Sequence, residues 1–202
     1  FVNTHTHAAM SLLRGIGEEA PLMEWLKEKI WPAEAKLKRD HVYWGTCLAL
    51  LEMASNGITA FGDMYFFMDA VVEASLGMGM KCGVSRGIVG PEKWKLDEGL
   101  QLADAWKGRE EFVTVQLAPH APYTVPLPFL KEIVDAAKDR DLGLHFHFLE
   151  AEWETGYIRD EMKMSPAEYL NASGMPGAKQ SVLAHCVWLD PAVLDEVDFS
   201  RM

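Results

Sequence analysis

Cysteine is scarce. Cys47, Cys82 and Cys186 are the only three in 202 residues, an odd number without CxxC spacing, which suits free thiols in a reducing compartment better than a disulfide framework and points to the cytoplasm. Basic charge is short too: 19 Lys and Arg against 30 Asp and Glu give a formal net charge of −11 and a pI near 5.0. With no basic cluster to make a local exception, such a chain repels phosphate backbones, and nucleic acid is not expected as a partner. No apolar run approaches the ~20 residues that span a bilayer, so no membrane partner is expected, and no charged n-region leads into an h-region at the start. Short repeats, low-complexity tracts and flexible linkers are also missing.

What is present is an ordinary globular composition, 49% hydrophobic with a mean hydropathy of −0.05, enough to bury a sizeable core as one compact domain. The chain opens without Met directly on strand-like Phe1-Val2-Asn3, and Leu194 to Met202 reads as a helix without a cap. Both ends therefore suggest a piece of a longer chain.

Short apolar runs alternate with longer helical patterns, the signature of repeated β-α units around a parallel sheet. The strand candidates are residues 1–7, 59–65, 80–89, 113–120, 142–150 and 181–187, and the helical stretches are 41–56, 68–76, 96–106, 126–140, 166–171 and 191–197. Ser165 followed by Pro166 and Glu168 makes a capping box, while Gly57 and Gly108 stand where helices end. The ~12-residue Trp25 to Lys36 segment reads as a long functional β-α loop. Six such units make either an open doubly wound sheet or an incomplete (β/α)8 TIM-type barrel. The strand ends favour the barrel: no Gly-rich phosphate turn follows the first strand, and polar residues crowd the C-terminal ends of several.

Six of the seven histidines, His5, His7, His120, His145, His147 and His185, fall in or at the ends of these strands; only His41 does not. A lone strand histidine is more often a hydrogen-bonded core residue than a ligand, but joint placement changes the balance. In His5-Thr6-His7 both imidazoles point to one face and can share an ion, and parallel barrel strands bring His147 to the same end, giving three nitrogen ligands. Such a set favours Zn2+, with Fe2+, Mn2+ and Ni2+ as alternatives. Glu150, three residues beyond His147, sits at the strand end where a carboxylate can shuttle protons to and from an acidified water; the bland alternative is a solvated carboxylate beside Glu152 and Glu154. His185 could hydrogen-bond the attacking oxygen or be a core residue bonded to backbone. His145 lies one layer deeper than His147 and suits a packing or supporting role.

Read together, Val2-Asn3-Thr4-His5-Thr6-His7 with Leu12-Leu13-Arg14-Gly15, Trp25-Leu26, Trp31-Pro32-Ala33-Glu34, Asp63-Met64-Tyr65-Phe66, Ser85-Arg86-Gly87, Ala118-Pro119-His120-Ala121-Pro122-Tyr123-Thr124, His145-Phe146-His147 with Glu150, and Ala184-His185-Cys186 make the chain resemble the amidohydrolase superfamily. Within it the resemblance is to the 5-methylthioadenosine/S-adenosylhomocysteine deaminases. It implies a metal-dependent hydrolytic deaminase of an adenine nucleoside, with a small-molecule partner; a homo-oligomer is left open. His5, His7 and His147 would be the metal ligands, Glu150 the proton donor to a ring nitrogen, and His185 the group that steadies the metal-bound water. Trp25, Glu34, Arg86 and His120 would contact substrate, with Glu34 on the ribose hydroxyls. Each has a structural alternative: a core aromatic, a solvated charge, a barrel-mouth ion pair and a buried turn residue, respectively. Other readings are a different amidohydrolase reaction (guanine or cytosine deamination, triazine hydrolysis) or a metal-binding remnant. The family pattern expects a further Asp ligand from a later strand, and Asp190, Asp195 and Asp198 fall in the loop and helix after the sixth.

Overall fold

The computed structural model describes residues 1–17, 19–109 and 111–198. It contains six strands, β1 (Val2–Thr6), β2 (Ala60–Tyr65), β3 (Lys81–Ile88), β4 (Val113–Pro119), β5 (Gly143–Phe148) and β6 (Ser181–His185), in a sheet whose strand order follows the chain. The pairs β1–β2, β4–β5 and β5–β6 are parallel. Between strands run α1 (Leu22–Glu24), α2 (Trp31–Glu34), α3 (Arg39–Ser55), α4 (Met68–Gly77), α5 (Lys93–Trp106), α6 (Leu127–Asp139), α7 (Glu152–Asp160) and α8 (Pro166–Ser173). Strand followed by helix, six times, with chain order preserved in the sheet, is the (β/α)8 class carried through six units. Among the described residues no helix is long and apolar enough to cross a membrane.

Each expected strand is present, shortened by one to three residues where the chain leaves the ladder. The helices agree with three exceptions. The segment read as a loop from Trp25 to Lys36 is helical: α1 runs into a π-helical turn over Trp25–Ile30 and then into α2. It contains no glycine, and Pro32, which has no N–H to give to the ladder, stands just after the π-helical turn. The α7 helix stands where no helix was expected. Pro191–Glu196 is a 3-10 helix capped by Asp190, whose carboxylate accepts from Ala192 N at 2.9 Å; residues 199–202 of the expected terminal helix lie outside the described residues.

The chain divides into two compact units, Phe1–Val84 with Trp106–Thr114, and Ser85–Ala105 with Val115–Met202. In the first, a 3-10 turn over Ala8–Leu13 follows β1 directly and packs on α3, which buries Val42, Gly45, Ala49, Leu50 and Met53. Gly45 is required there: a Cβ would stand 2.6 Å from the Ala9 carbonyl oxygen. The α3 helix ends as the glycine at 57 implies, with φ +74° and Ile58 N bonded back to Met53 O.

In the second unit the apolar face of α6 (Phe129, Leu130, Ile133, Val134, Ala137) closes on Leu144, Phe146 and Phe148 of β5 and on Tyr169 of α8. Alternation then turns the other β5 residues, His145 and His147, to the opposite face. The Ser165 capping box forms as read, with Glu168 N donating to Ser165 Oγ and Ser165 N to Glu168 Oε2.

Candidate active site

The first unit gathers His5 and His7 at the end of β1, their ring centroids 4.9 Å apart. What holds them is Asp63 of β2. It is fully buried, and its Oδ1 accepts both from Thr6 Oγ1 and from Ala8 N at 2.7 Å, so the residues flanking His7 are tied to one carboxylate. Burial raises the Asp63 carboxyl above the ordinary range. The pairing register of β1 and β2 shifts between Asn3 and Thr6, which lets Thr6 face Asp63. Since a carbonyl can only accept, the 2.5 Å contact between His7 Nδ1 and Met64 O places the ring hydrogen on Nδ1 and makes Nε2 the nitrogen with the lone pair. Glu34 is half-buried beside Tyr65 and His7; burial raises its carboxyl, while Tyr65 and His7 pull the other way. Trp25 is half-buried, its indole Nε1 donating to Ile16 O at 2.7 Å.

The second unit gathers His120, His147, Glu150 and His185. The His147 ring stands 4.7 Å from that of His120 and 5.2 Å from that of His185, centroid to centroid, and His185 Nε2 is 3.6 Å from Glu150 Oε2. His147 Nδ1 donates to His120 O at 3.0 Å, so this ring too carries its lone pair on Nε2. Ring hydrogens anchored on backbone carbonyls, with Nε2 presented, are how metal-ligating histidines are oriented. The donor chemistry of His7 and His147 thus fits a divalent cation. His145, fully buried, has Nδ1 3.4 Å from Ser85 Oγ.

Arg86 departs from its expected role. It neighbours Ser85 on β3 and so points to the other face, where its Nε donates to Glu98 of α5 at 2.7 Å and its guanidinium lies 5.3 Å from the Trp94 ring. The side chain is 15% exposed and tied to protein groups, which matches an ion pair.

The backbone at this end is unusual. Leu149, just after β5, and His185 and Cys186, at the end of β6, all have positive φ (50°, 76° and 51°) although none is glycine. Such conformations cost about 1–3 kcal/mol each and persist only where surrounding structure imposes them. Cys186 N donates to Phe148 O at 2.9 Å and Trp188 N to Leu149 O at 3.0 Å, binding the two strand ends together. Among the described residues two buried carboxylates, Asp63 in the first unit and Glu154 in the second, were not singled out by residue type. Asp63 sits in the matched Asp63-Met64-Tyr65-Phe66 run, and Glu154 stands four residues after Glu150, the one spacing that could have pointed to it.

With this geometry in place, the sequence profile of the amidohydrolase family matches residues 1–201. The chain belongs to the amidohydrolase family. Among curated amidohydrolase relatives, it is 47% identical over 196 residues to 5-methylthioadenosine/S-adenosylhomocysteine deaminase 2 of Archaeoglobus fulgidus, covering 94% of this chain and 47% of that protein. It is 42% identical over 207 residues to the 5-methylthioadenosine/S-adenosylhomocysteine deaminase of Pelotomaculum thermopropionicum, covering 100% and 47%. This amidohydrolase chain therefore spans about half the length of the curated relatives it matches. Among solved structures, an adenosine deaminase from Xanthomonas campestris with bound zinc superimposes with a TM-score of 0.87 at 30% identity, over 96% of this chain and 46% of that one.

Proposed function

We propose that this chain carries the greater part of the active site of a metal-dependent hydrolytic deaminase acting on an adenine nucleoside such as 5′-methylthioadenosine or S-adenosylhomocysteine. The observation that carries the reading is the group in the second unit: a carboxylate, Glu150, 3.6 Å from His185 and beside a histidine, His147, whose tautomer is set for metal binding. The names of the relatives support the nucleoside.

His5, His7 and His147 are assigned as ligands of one divalent cation. Zn2+ is the first candidate, on the imidazole set and on the zinc in the related adenosine deaminase, and Fe2+, Mn2+ and Ni2+ are the alternatives. The chemistry a bound cation supplies is a water acidified toward a pKa of about 7. Glu150 carries the proton to the purine ring nitrogen, which makes the ring carbon bearing the amino group electrophilic, and His185 keeps the Glu150 carboxylate and the attacking oxygen in register. Trp25 is assigned to packing on the nucleoside, His120 to holding the substrate and Glu34 to the ribose hydroxyls. Arg86, paired with Glu98 and lying against Trp94, is assigned no substrate contact and holds β3 to α5. The free cysteines agree with a cytoplasmic protein.

The test is a spectrophotometric deamination assay on the complete metal-replete protein with both nucleosides. Turnover with loss of at least about a hundredfold in Glu150→Gln supports the assignment. Absence of turnover on either nucleoside refutes the substrate class, and activity that survives Glu34→Ala unchanged moves the substrate to a free base or a triazine.

A further inference from the structure

Glu150 has to be held, because the chain that carries it leaves β5 through a left-handed Leu149 and enters α7 with no side-chain cap of the usual kind. The residue at the helix N-cap is Ala151, whose side chain has no acceptor, and the amides of Glu150 and Ala151, which precede the helix, find their partner at N3. That partner is Glu154. Its side chain is fully buried, and Oε1 alone accepts from Glu150 N at 3.0 Å and from Ala151 N at 2.9 Å. Among the described residues Oε2 has no hydrogen-bond partner, and it too is buried. Burial raises this carboxyl above the usual carboxylate range, and burial, with the carboxyl nearby as a smaller cause, raises the Tyr123 phenol and the Cys186 thiol as well. Glu152, one helical position from the cap, is exposed and makes none of these contacts. The two bonds to this one oxygen hold the peptides on either side of Glu150's Cα, so they set where that Cα stands and which way its side chain leaves the backbone.

We infer that Glu154 is a positioning residue of the catalytic apparatus, holding Glu150 against His185 by clamping the Glu150 and Ala151 amides. The inference rests on the role proposed for Glu150. One acceptor oxygen is all the clamp uses, so an amide in place of the carboxyl retains it, while a thioether of the same length fills the space and removes it.

The experiment compares Glu154→Gln, Glu154→Met, Glu152→Ala and Glu150→Gln in the complete metal-loaded protein. It reads kcat and KM for 5′-methylthioadenosine, thermal unfolding, and binding of a purine nucleoside analogue that is tetrahedral at the reacting carbon alongside a planar, unreactive 5′-methylthio nucleoside. Glu154→Met is expected to lower kcat about 10- to 100-fold, the usual effect of losing a group that orients a catalytic one, with KM and planar-analogue affinity within about threefold and the tetrahedral analogue weakened in parallel with kcat. Glu154→Gln and Glu152→Ala stay within about threefold of the parent throughout. Folded Glu154→Met with kcat within threefold, beside an inactive Glu150→Gln, overturns the inference and leaves the proposed function standing. A folded Glu154→Gln that loses more than tenfold in kcat overturns it as well, and does so even where Glu154→Met fails to fold. An active Glu150→Gln refutes the role of Glu150 itself, and the positioning role with it.

Discussion

Gly45 of α3 and Gly77 at the end of α4 offer the same substitution in two opposite environments. In a helix, alanine is favoured over glycine by about 1 kcal/mol, less at a terminus. At Gly77 a Cβ meets nothing within 4 Å, so Gly77→Ala keeps most of that gain. At Gly45 the new Cβ stands 2.6 Å from Ala9 O, 3.1 Å from Ala9 Cα and 3.0 Å from Leu12 Cγ, well inside the ~3.5 Å at which nonbonded atoms rest. Two of the three are backbone atoms of the 3-10 turn, which cannot rotate aside; the turn must move away from α3. Overpacking of this kind costs about 1–3 kcal/mol, and a backbone obstacle puts Gly45→Ala at the upper end, for a net loss of about 2 kcal/mol after the helix gain. At about 2–4 °C per kcal/mol for a chain of this size, thermal unfolding followed by circular dichroism should show Gly45→Ala melting roughly 4–8 °C lower and Gly77→Ala unchanged or slightly higher. The turn begins immediately after His7, so Gly45→Ala should also purify with less bound metal, measured by elemental analysis, while Gly77→Ala does not. If both variants melt at or above the parent, the close approach of α3 to the Ala8–Leu13 turn is not what requires glycine.

Asp63→Ala takes from Ala8 N its buried acceptor and from Thr6 Oγ1 one of two, Gly62 O at 3.0 Å remaining, a loss of about 1–3 kcal/mol for the orphaned amide; Asp63→Asn, which keeps one oxygen, should recover part of it in urea unfolding. Lys163 is exposed with φ +57°, so Lys163→Gly should stabilise by about 0.5–1 kcal/mol, and a melting point below the parent would exclude backbone strain there. Glu154 holds its proton more tightly when folded than when unfolded. Its contribution to stability is therefore complete below the ordinary carboxylate pKa and is lost as pH rises through the raised folded value. The stability difference between the parent and Glu154→Gln should shift in favour of the variant as pH goes from acid to neutral, and a difference that moves the other way refutes the raised carboxyl.

Six strands were legible because each is a short apolar run closed by a polar end, and β5 shows why that works. Leu144, Phe146 and Phe148 face the α6 core, and the alternation that puts them there sends His145 and His147 the other way. The histidine pair of β1 follows from the same two-residue period, whereas Glu150, three residues beyond His147 and past the left-handed Leu149, does not. The reading failed in two helical segments. Trp25–Ile30 takes π-helical turns, whose spacing matches neither strand nor α-helix, so its apolar residues looked like a loop. The α7 helix begins at an alanine with its acceptor borrowed from the third residue in, which hides it from any search for Ser, Thr, Asp or Asn caps. Arg86 shows a different limit. Sequence gives the residue type at a strand end, but whether its charge meets a substrate or Glu98 depends on which helix lies beneath it.

The cross-links between the ends of β5 and β6 have a mechanical consequence. Cys186 N on Phe148 O and Trp188 N on Leu149 O mean that neither strand exit can open alone without breaking the other's bonds. The amides of Glu150, Cys186 and Trp188 should therefore exchange with solvent deuterium as one cooperative group, so that a perturbation introduced on one strand exit is detected as faster exchange on the other.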